Sequence, residues 1–234
     1  MAPDRARSVD LNADLGEEVT DDRGLLSVVS SANVACGFHA GSPEIMRVVC
    51  AEAVRRDVVV GAQVSYRDRA GFGRTPLDVE HAVLRDQVAE QVELLASIAS
   101  AEGATVAYVK PHGALYHRVT DDDEQADAVL AGSRDLAVLG FPGSRLLALA
   151  VAAGRATYEE GFPDRGYAEG RLIDRGQPGA LLEDAGRMAA QAVRLAPSVA
   201  SLCVHGDSPG AVAHAVAVRR ALEEASYTVE AFVR

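Results

Sequence analysis

Seven short apolar runs, separated by amphipathic or polar stretches, divide this chain and leave few folds open to it. The runs cover residues 8–12, 32–36, 58–62, 104–109, 136–139, 156–160 and 199–204. Each has the length of a buried strand. Helical patterns fall between them, over 24–31, 42–56, 78–101, 144–153, 180–195 and 209–225, and a short strand over 227–233 closes the chain. Alternation of this kind implies parallel strands with helices outside, arranged as an open doubly wound sheet or a closed barrel.

Polar clusters decide between the two. Asn12 and Asp14, His39, Gln63 and Ser65, Lys110 and His112, Asp164 and Arg165, and His205 and Asp207 each follow the C-terminal end of a strand. In a barrel these ends form one ring around one mouth. In an open sheet the outer ends lie too far apart to share a site, so a β/α barrel is expected. No composition break marks a linker, and residues 1–234 read as a single domain with residues 1–7 as a flexible extension.

Helix signals add detail. Ser42 and Pro43 suit an N-cap and a first helical position. Ile45, Val48, Val49 and Val54 would then form that helix's buried face. The acidic run 121–124 reads as a helix N-terminus favoured by the macrodipole.

Lys110 is the only lysine in the protein, against 22 arginines. An ammonium is a compact charge that responds to burial, whereas a guanidinium is planar and always charged. Retention of one lysine, two residues before His112, marks a position where arginine does not serve. His39, His112 and His205 each follow a strand and neighbour a glycine. Their imidazoles suit two roles: ligands of a divalent metal with Asp14 or Asp207, or direct acid and base groups. His81 and His214 lie inside helices and read as ordinary packing residues, while His117 fits either class. Cys36 is a weaker nucleophile candidate. Asn12 and Asn33 are the only asparagines, which suggests placed amides.

Composition excludes several classes. The net charge of −11, with no basic run to offset it, argues against nucleic-acid binding. Three cysteines without CxxC spacing give neither a disulfide framework nor a thiolate zinc site. No GxGxxG, GxxxxGK[ST] or GxSxG motif is present. No segment is long and apolar enough to span a bilayer and the first ten residues lack a signal core, so a reducing cytoplasm is the default location.

Several longer motifs carry a resemblance. Asp10-Leu-Asn-Ala-Asp-Leu-Gly-Glu17, Ser31-Ala-Asn-Val-Ala-Cys-Gly-Phe-His-Ala-Gly41, Val109-Lys-Pro-His-Gly-Ala-Leu-Tyr116 and Cys203-Val-His-Gly-Asp207 resemble the LamB/YcsF family. Gly71-Phe-Gly-Arg74, Phe162-Pro-Asp-Arg-Gly-Tyr167 and Gly179-Ala-Leu181 fit the same pattern. The resemblance implies a seven-stranded parallel β/α barrel, related to TIM barrels and to glycoside hydrolases and deacetylases. It also implies ATP-driven opening of 5-oxoproline to L-glutamate, with ATP as cofactor of a complex containing 5-oxoprolinase subunits B and C. Homo-oligomerisation is left open.

On that basis Asp14, His39, Lys110, His112, His205 and Asp207 are the expected catalytic groups. Asn12, Asn33, Ser65, Arg74, Tyr116, Asp164 and Arg165 are expected around the substrate, and Asp14, His39 and His112 are the expected metal ligands. Three departures stand out. Gln63 replaces the histidine of the family's Gly-Ala-His-Pro-Ser, Asp174 replaces the proline of Leu-Val-Pro-Arg, and the segment 196–200 is short. The rival readings are a stand-alone metal-dependent deacetylase or amidohydrolase and a non-catalytic regulatory subunit.

Overall fold

A computed structural model describes residues 7–19, 21–207 and 210–233; residues 1–6 of the expected extension lie outside that set. The chain runs β1 (Arg7–Leu15), α1 (Asp22–Leu26), β2 (Ser31–Ala35), α2 (Pro43–Arg55), β3 (Val59–Val64), α3 (His81–Ala101), β4 (Val106–Pro111), α4 (Gly113–Asp121) and α5 (Asp123–Gly132). It continues through β5 (Ala137–Gly140), α6 (Arg145–Ala152), β6 (Thr157–Gly161), β7 (Tyr167–Ala168), β8 (Arg171–Leu172), α7 (Ala185–Leu195), β9 (Ser201–Val204), α8 (Ala211–Glu224) and β10 (Tyr227–Val229).

Seven parallel strands, β1 to β6 and β9, close on themselves. β9 pairs with β6 through Glu160↔Ser201 and with β1 through Asp10↔Ser201 and Asn12↔Cys203. A closed ring has no edge strand, so every inner ladder is satisfied. The short β10 lies outside the ring, pairing with the start of β1.

β1 shows how the sequence sets the two faces. Val9, Leu11, Ala13 and Leu15 pack into the aliphatic layer beneath the helices. The alternate residues Asp10, Asn12 and Asp14 hydrogen-bond across the barrel. Successive side chains of a strand point to opposite faces, so this barrel's interior is polar where many are filled with branched aliphatics.

α2 starts as expected, with the Ser42 hydroxyl accepting from the Ile45 amide. Its buried face is different: Met46, Val49, Cys50 and Ala53 face the barrel, and Val48 and Val54 are exposed. The i, i+3, i+4, i+7 set that meets the sheet is therefore rotated from the expected stripe of Ile45 and three valines. α7 begins at Ala185, where Asp184 caps the Arg187 amide at 2.8 Å. α5 follows its acidic signal, with Asp122 accepting from the Gln125 amide.

α4 has no counterpart among the helices expected from the sequence. It follows β4 directly, and Gly113 makes the junction. Its φ is +59°, and a Cβ there would lie 2.3 Å from the Gly73 carbonyl oxygen. Only glycine fits that approach.

Candidate active site

The strand ends open on a cavity of about 470 Å³ whose wall includes Asp14, Arg74, Lys110, His112, Tyr116 and His205. Lys110, from the end of β4, stands at its floor, almost fully buried. Its ammonium lies 2.9 Å from Glu160 Oε2, 3.5 Å from Asp14 Oδ1 and 3.1 Å from Cys203 Sγ. The Glu160 contact lies off the hydrogen-bonding direction, so charge rather than alignment holds that pair. Burial works against the ammonium, but Asp14, Cys203 and Glu160 outweigh it and hold the Lys110 pKa well above its ordinary value. Burial likewise opposes ionisation of Asp14, yet Lys110, His205 and His112 hold its carboxyl below the usual range. Glu160 is pushed up by burial, with Lys110 offsetting part of the effect.

On another side of the cavity stands His205, which is paired with Asp164 of the adjoining cavity. One Asp164 oxygen lies 2.8 Å from His205 Nδ1 and accepts from the His205 amide at 2.9 Å. That carboxylate fixes the proton on Nδ1 and leaves Nε2 as the basic nitrogen. The ring stacks on Phe162, at 5.4 Å between centroids. Burial opposes ionisation of Asp164, but His205 and Arg175 hold its pKa below the usual range.

A third cluster joins Glu17, His39 and His112. Glu17 Oε1 lies 3.5 Å from His39 Nε2 and 3.5 Å from His112 Nδ1, and the two imidazoles stack at 4.0 Å. His112 Nε2 faces the Phe72 carbonyl at 3.1 Å, and Gln63 Nε2 faces His112 Nδ1 at 2.9 Å. Both contacts are satisfied by a neutral ring protonated on Nε2. Burial, and then His39, push the His112 pKa well below its ordinary value, which favours that neutral form. Both nitrogens of His39 and Oε1 of Glu17 have no hydrogen-bond partner among the described residues. Buried polar atoms are rarely left so.

Beneath the mouth runs a buried hydrogen-bond chain. Asn33 donates to Asn12 Oδ1 at 2.6 Å and to Asp14 Oδ1 at 2.9 Å, and Tyr108 donates to Asn33 at 2.7 Å. Asn12 donates to Ser201 at 2.6 Å, and Ser30, Ser31 and Ser201 all donate to Asp10. Burial raises the Asp10 pKa to about 6 despite these donors. Asn12 and Asn33 thus sit inside their strands and orient Asp14.

The remaining expected residues divide. Tyr116 lines the cavity with its hydroxyl unpartnered, and the Ser65 hydroxyl, beside Gly73, is buried and unpartnered too. Arg165 also lines the wall, but its guanidinium donates to the carbonyls of Ala180 and Ile173. Arg74 bonds Asp207. The expected metal trio is split: Asp14 groups with Cys203 and His205, and Glu17 takes its place beside His39 and His112. Glu17, Glu160, Cys203 and Arg175 carry no assignment from the sequence. The one signal for them is position, at or just past a strand end or inside a family motif.

Residues 9–234 match the LamB/YcsF family. A Streptomyces griseus protein that bears the name of the 5-oxoprolinase A chain is 52% identical over 248 residues, covering 96% of this chain and 99% of that one. A lactam utilization protein of Thermus thermophilus superposes with a TM-score of 0.89 at 35% identity, covering 96% of this chain and 99% of the other. A family 4 carbohydrate esterase from Streptomyces lividans shares the fold alone, with a TM-score of 0.53 at 12% identity, covering 95% and 91% of the two chains.

Proposed function

The chain belongs to the LamB/YcsF family, and from that premise we propose that it is the first of the three components of a 5-oxoprolinase, a hydrolase that opens the cyclic amide of 5-oxoproline to L-glutamate. The observation that carries the reading is one cavity whose wall holds the Lys110–Asp14 pair and His205, the imidazole that Asp164 orients from the adjoining cavity. A general base and a fixed positive charge at one mouth are the minimum that amide hydrolysis needs.

In this reading His205 Nε2 accepts a proton from the water that attacks the ring carbonyl, and Asp164 stabilises the imidazolium that forms. The same imidazolium then returns a proton to the departing ring nitrogen. Lys110 supplies positive potential to the developing oxyanion and keeps Asp14 ionised, and Asp14 orients the water. The amide is resonance-stabilised and its hydrolysis is coupled to ATP. With no phosphate-loop motif in this chain, nucleotide handling falls to the partner subunits B and C, which activate the amide oxygen.

Glu17, His39 and His112 have the donor set of a divalent-cation site, and their unpartnered atoms fit one. A cation held there would supply Lewis-acid polarisation of a carbonyl oxygen. Gln63 is already turned to His112 Nδ1, so it competes for that ligand atom. No described helix is long and apolar enough to cross a membrane, and the three buried cysteines are unpaired. Both facts support assigning the enzyme to the reducing cytoplasm.

The test is reconstitution. Purified alone, the chain should release little glutamate from 5-oxoproline, and adding the two partner subunits with ATP and magnesium should restore release. Robust ATP-dependent turnover by the isolated chain would overturn the division of labour. A complete complex that leaves 5-oxoproline intact would overturn the function.

A further inference from the structure

Five cationic side chains line the 470 Å³ cavity: Arg74, Lys110, Arg118, Arg165 and Arg175. Three are committed elsewhere. Lys110 is held by Asp14 and Glu160, Arg118 by Asp78 and Asp122, and Arg165 by two backbone carbonyls. Arg74, from the loop before α3, and Arg175, from the loop after β8, remain. Both reach the same carboxylate oxygen, Oδ2 of Asp207, with Arg175 Nη1 at 3.2 Å.

Two guanidinium groups sharing one carboxylate leave a net positive charge. Each carries five donors, and among the described residues each spends only one in a hydrogen bond. Their placement gives that surplus a direction. Both arginines line the first cavity and also a second of about 480 Å³ behind it, whereas Asp207 lines only the second. The pair is thus a partition between the two cavities, with its neutralising carboxylate on the side of the second and donors to spare at the wall of the first.

We propose that Arg74 and Arg175 form the subsite for the substrate's carboxylate, and that Asp207 is an internal stand-in which competes with that carboxylate for the pair. The proposal rests on the 5-oxoproline reading, since that lactam carries a carboxylate next to its ring nitrogen. Guanidinium forks suit carboxylates because two parallel N–H bonds match two oxygens. Asp207 would keep the pair pre-positioned before substrate binds and lower its affinity for anions in general. It would thereby favour a ligand whose ring also fits the cavity.

The opposed effects of the two kinds of variant give a direct test. Binding of 5-oxoproline and of 2-pyrrolidinone, the same ring without the carboxylate, is measured by calorimetry and ligand-observed NMR. The proteins are the full chain and its Asp207→Asn, Arg74→Gln and Arg175→Gln variants, each matched to wild type by circular dichroism. Removing the competing charge should tighten 5-oxoproline binding about three- to tenfold, and losing either arginine should weaken it by about tenfold or more. Binding of 2-pyrrolidinone should be the same in all four proteins. Weaker 5-oxoproline binding in Asp207→Asn would overturn the stand-in role. Binding of both lactams with no response to the arginine variants would overturn the subsite alone. A wild-type chain that binds neither lactam would overturn the reading on which the subsite rests, and the subsite with it.

Discussion

Lys110→Met removes the one positive charge between two buried carboxylates, and its cost can be worked from their surroundings. The side chains of Lys110, Asp14 and Glu160 are 4%, 4% and 0% exposed, so water cannot replace the ammonium. Breaking a buried pair from one side costs about 3–5 kcal/mol. Protonating one carboxyl instead sets a ceiling. From an ordinary carboxyl pKa that costs about 4 kcal/mol at pH 7 and about 1 kcal/mol at pH 5, at 1.36 kcal/mol per pH unit. The variant should therefore be less stable by about 3–4 kcal/mol at pH 7 and by about 1 kcal/mol at pH 5.

The direction follows from proton counting. In the variant the folded carboxyl pKa lies above the unfolded one, so the folded state binds more protons and stability falls as pH rises above the ordinary carboxylate range. In the wild type the depressed pKa of Asp14 acts the other way, contributing stability above that range that is lost as pH falls. Urea unfolding followed by circular dichroism at pH 5, 6 and 7 measures the variant's slope, and carrying the wild-type series down to about pH 3 measures the opposite one. A variant within about 0.5 kcal/mol of wild type at all three values would refute the role of Lys110 as counter-ion.

Three further perturbations separate the site's parts. Asp164→Asn should leave the fold intact and lower turnover of the assembled enzyme by about 10²–10⁴-fold, because the amide no longer fixes the His205 tautomer; steady-state glutamate release reads this out. Gly73→Ala should cost about 1–3 kcal/mol in urea unfolding and impair turnover. At a φ of +68° its Cβ would lie 2.3 Å from Ser65 Oγ and 2.9 Å from His39 Cβ. Gln63→His should raise zinc affinity by about tenfold or more, with little change in the melting temperature of the metal-free protein. Unchanged affinity by calorimetry would place Gln63 outside the cation site.

The barrel was legible because alternation and polar strand ends are local patterns that repeat along the chain. Phase was harder to read. Glu159 and Glu160 are adjacent in β6, and the sequence offers nothing to say which faces inward. The structure buries Glu160 against Lys110 and exposes Glu159. Glu17 lies in a bend two residues beyond β1, where periodicity gives no orientation, so its place between two histidines required the folded loops. Arg165 looked like an anion clamp by residue type, but its loop carbonyls claim it. Val48 and Val54 looked like core by hydropathy, although the smaller Ala53 and Cys50 meet the sheet.

Whether ring opening takes place on this chain is tested most directly by the assembled 5-oxoprolinase in which only this chain carries His205→Gln. Glutamate formation should fall by about 10²-fold or more, while the complex still assembles and the chain unfolds at the wild-type urea midpoint. A rate within about threefold of wild type, a barrier change under about 0.7 kcal/mol, would mean that the amide bond is broken on another subunit.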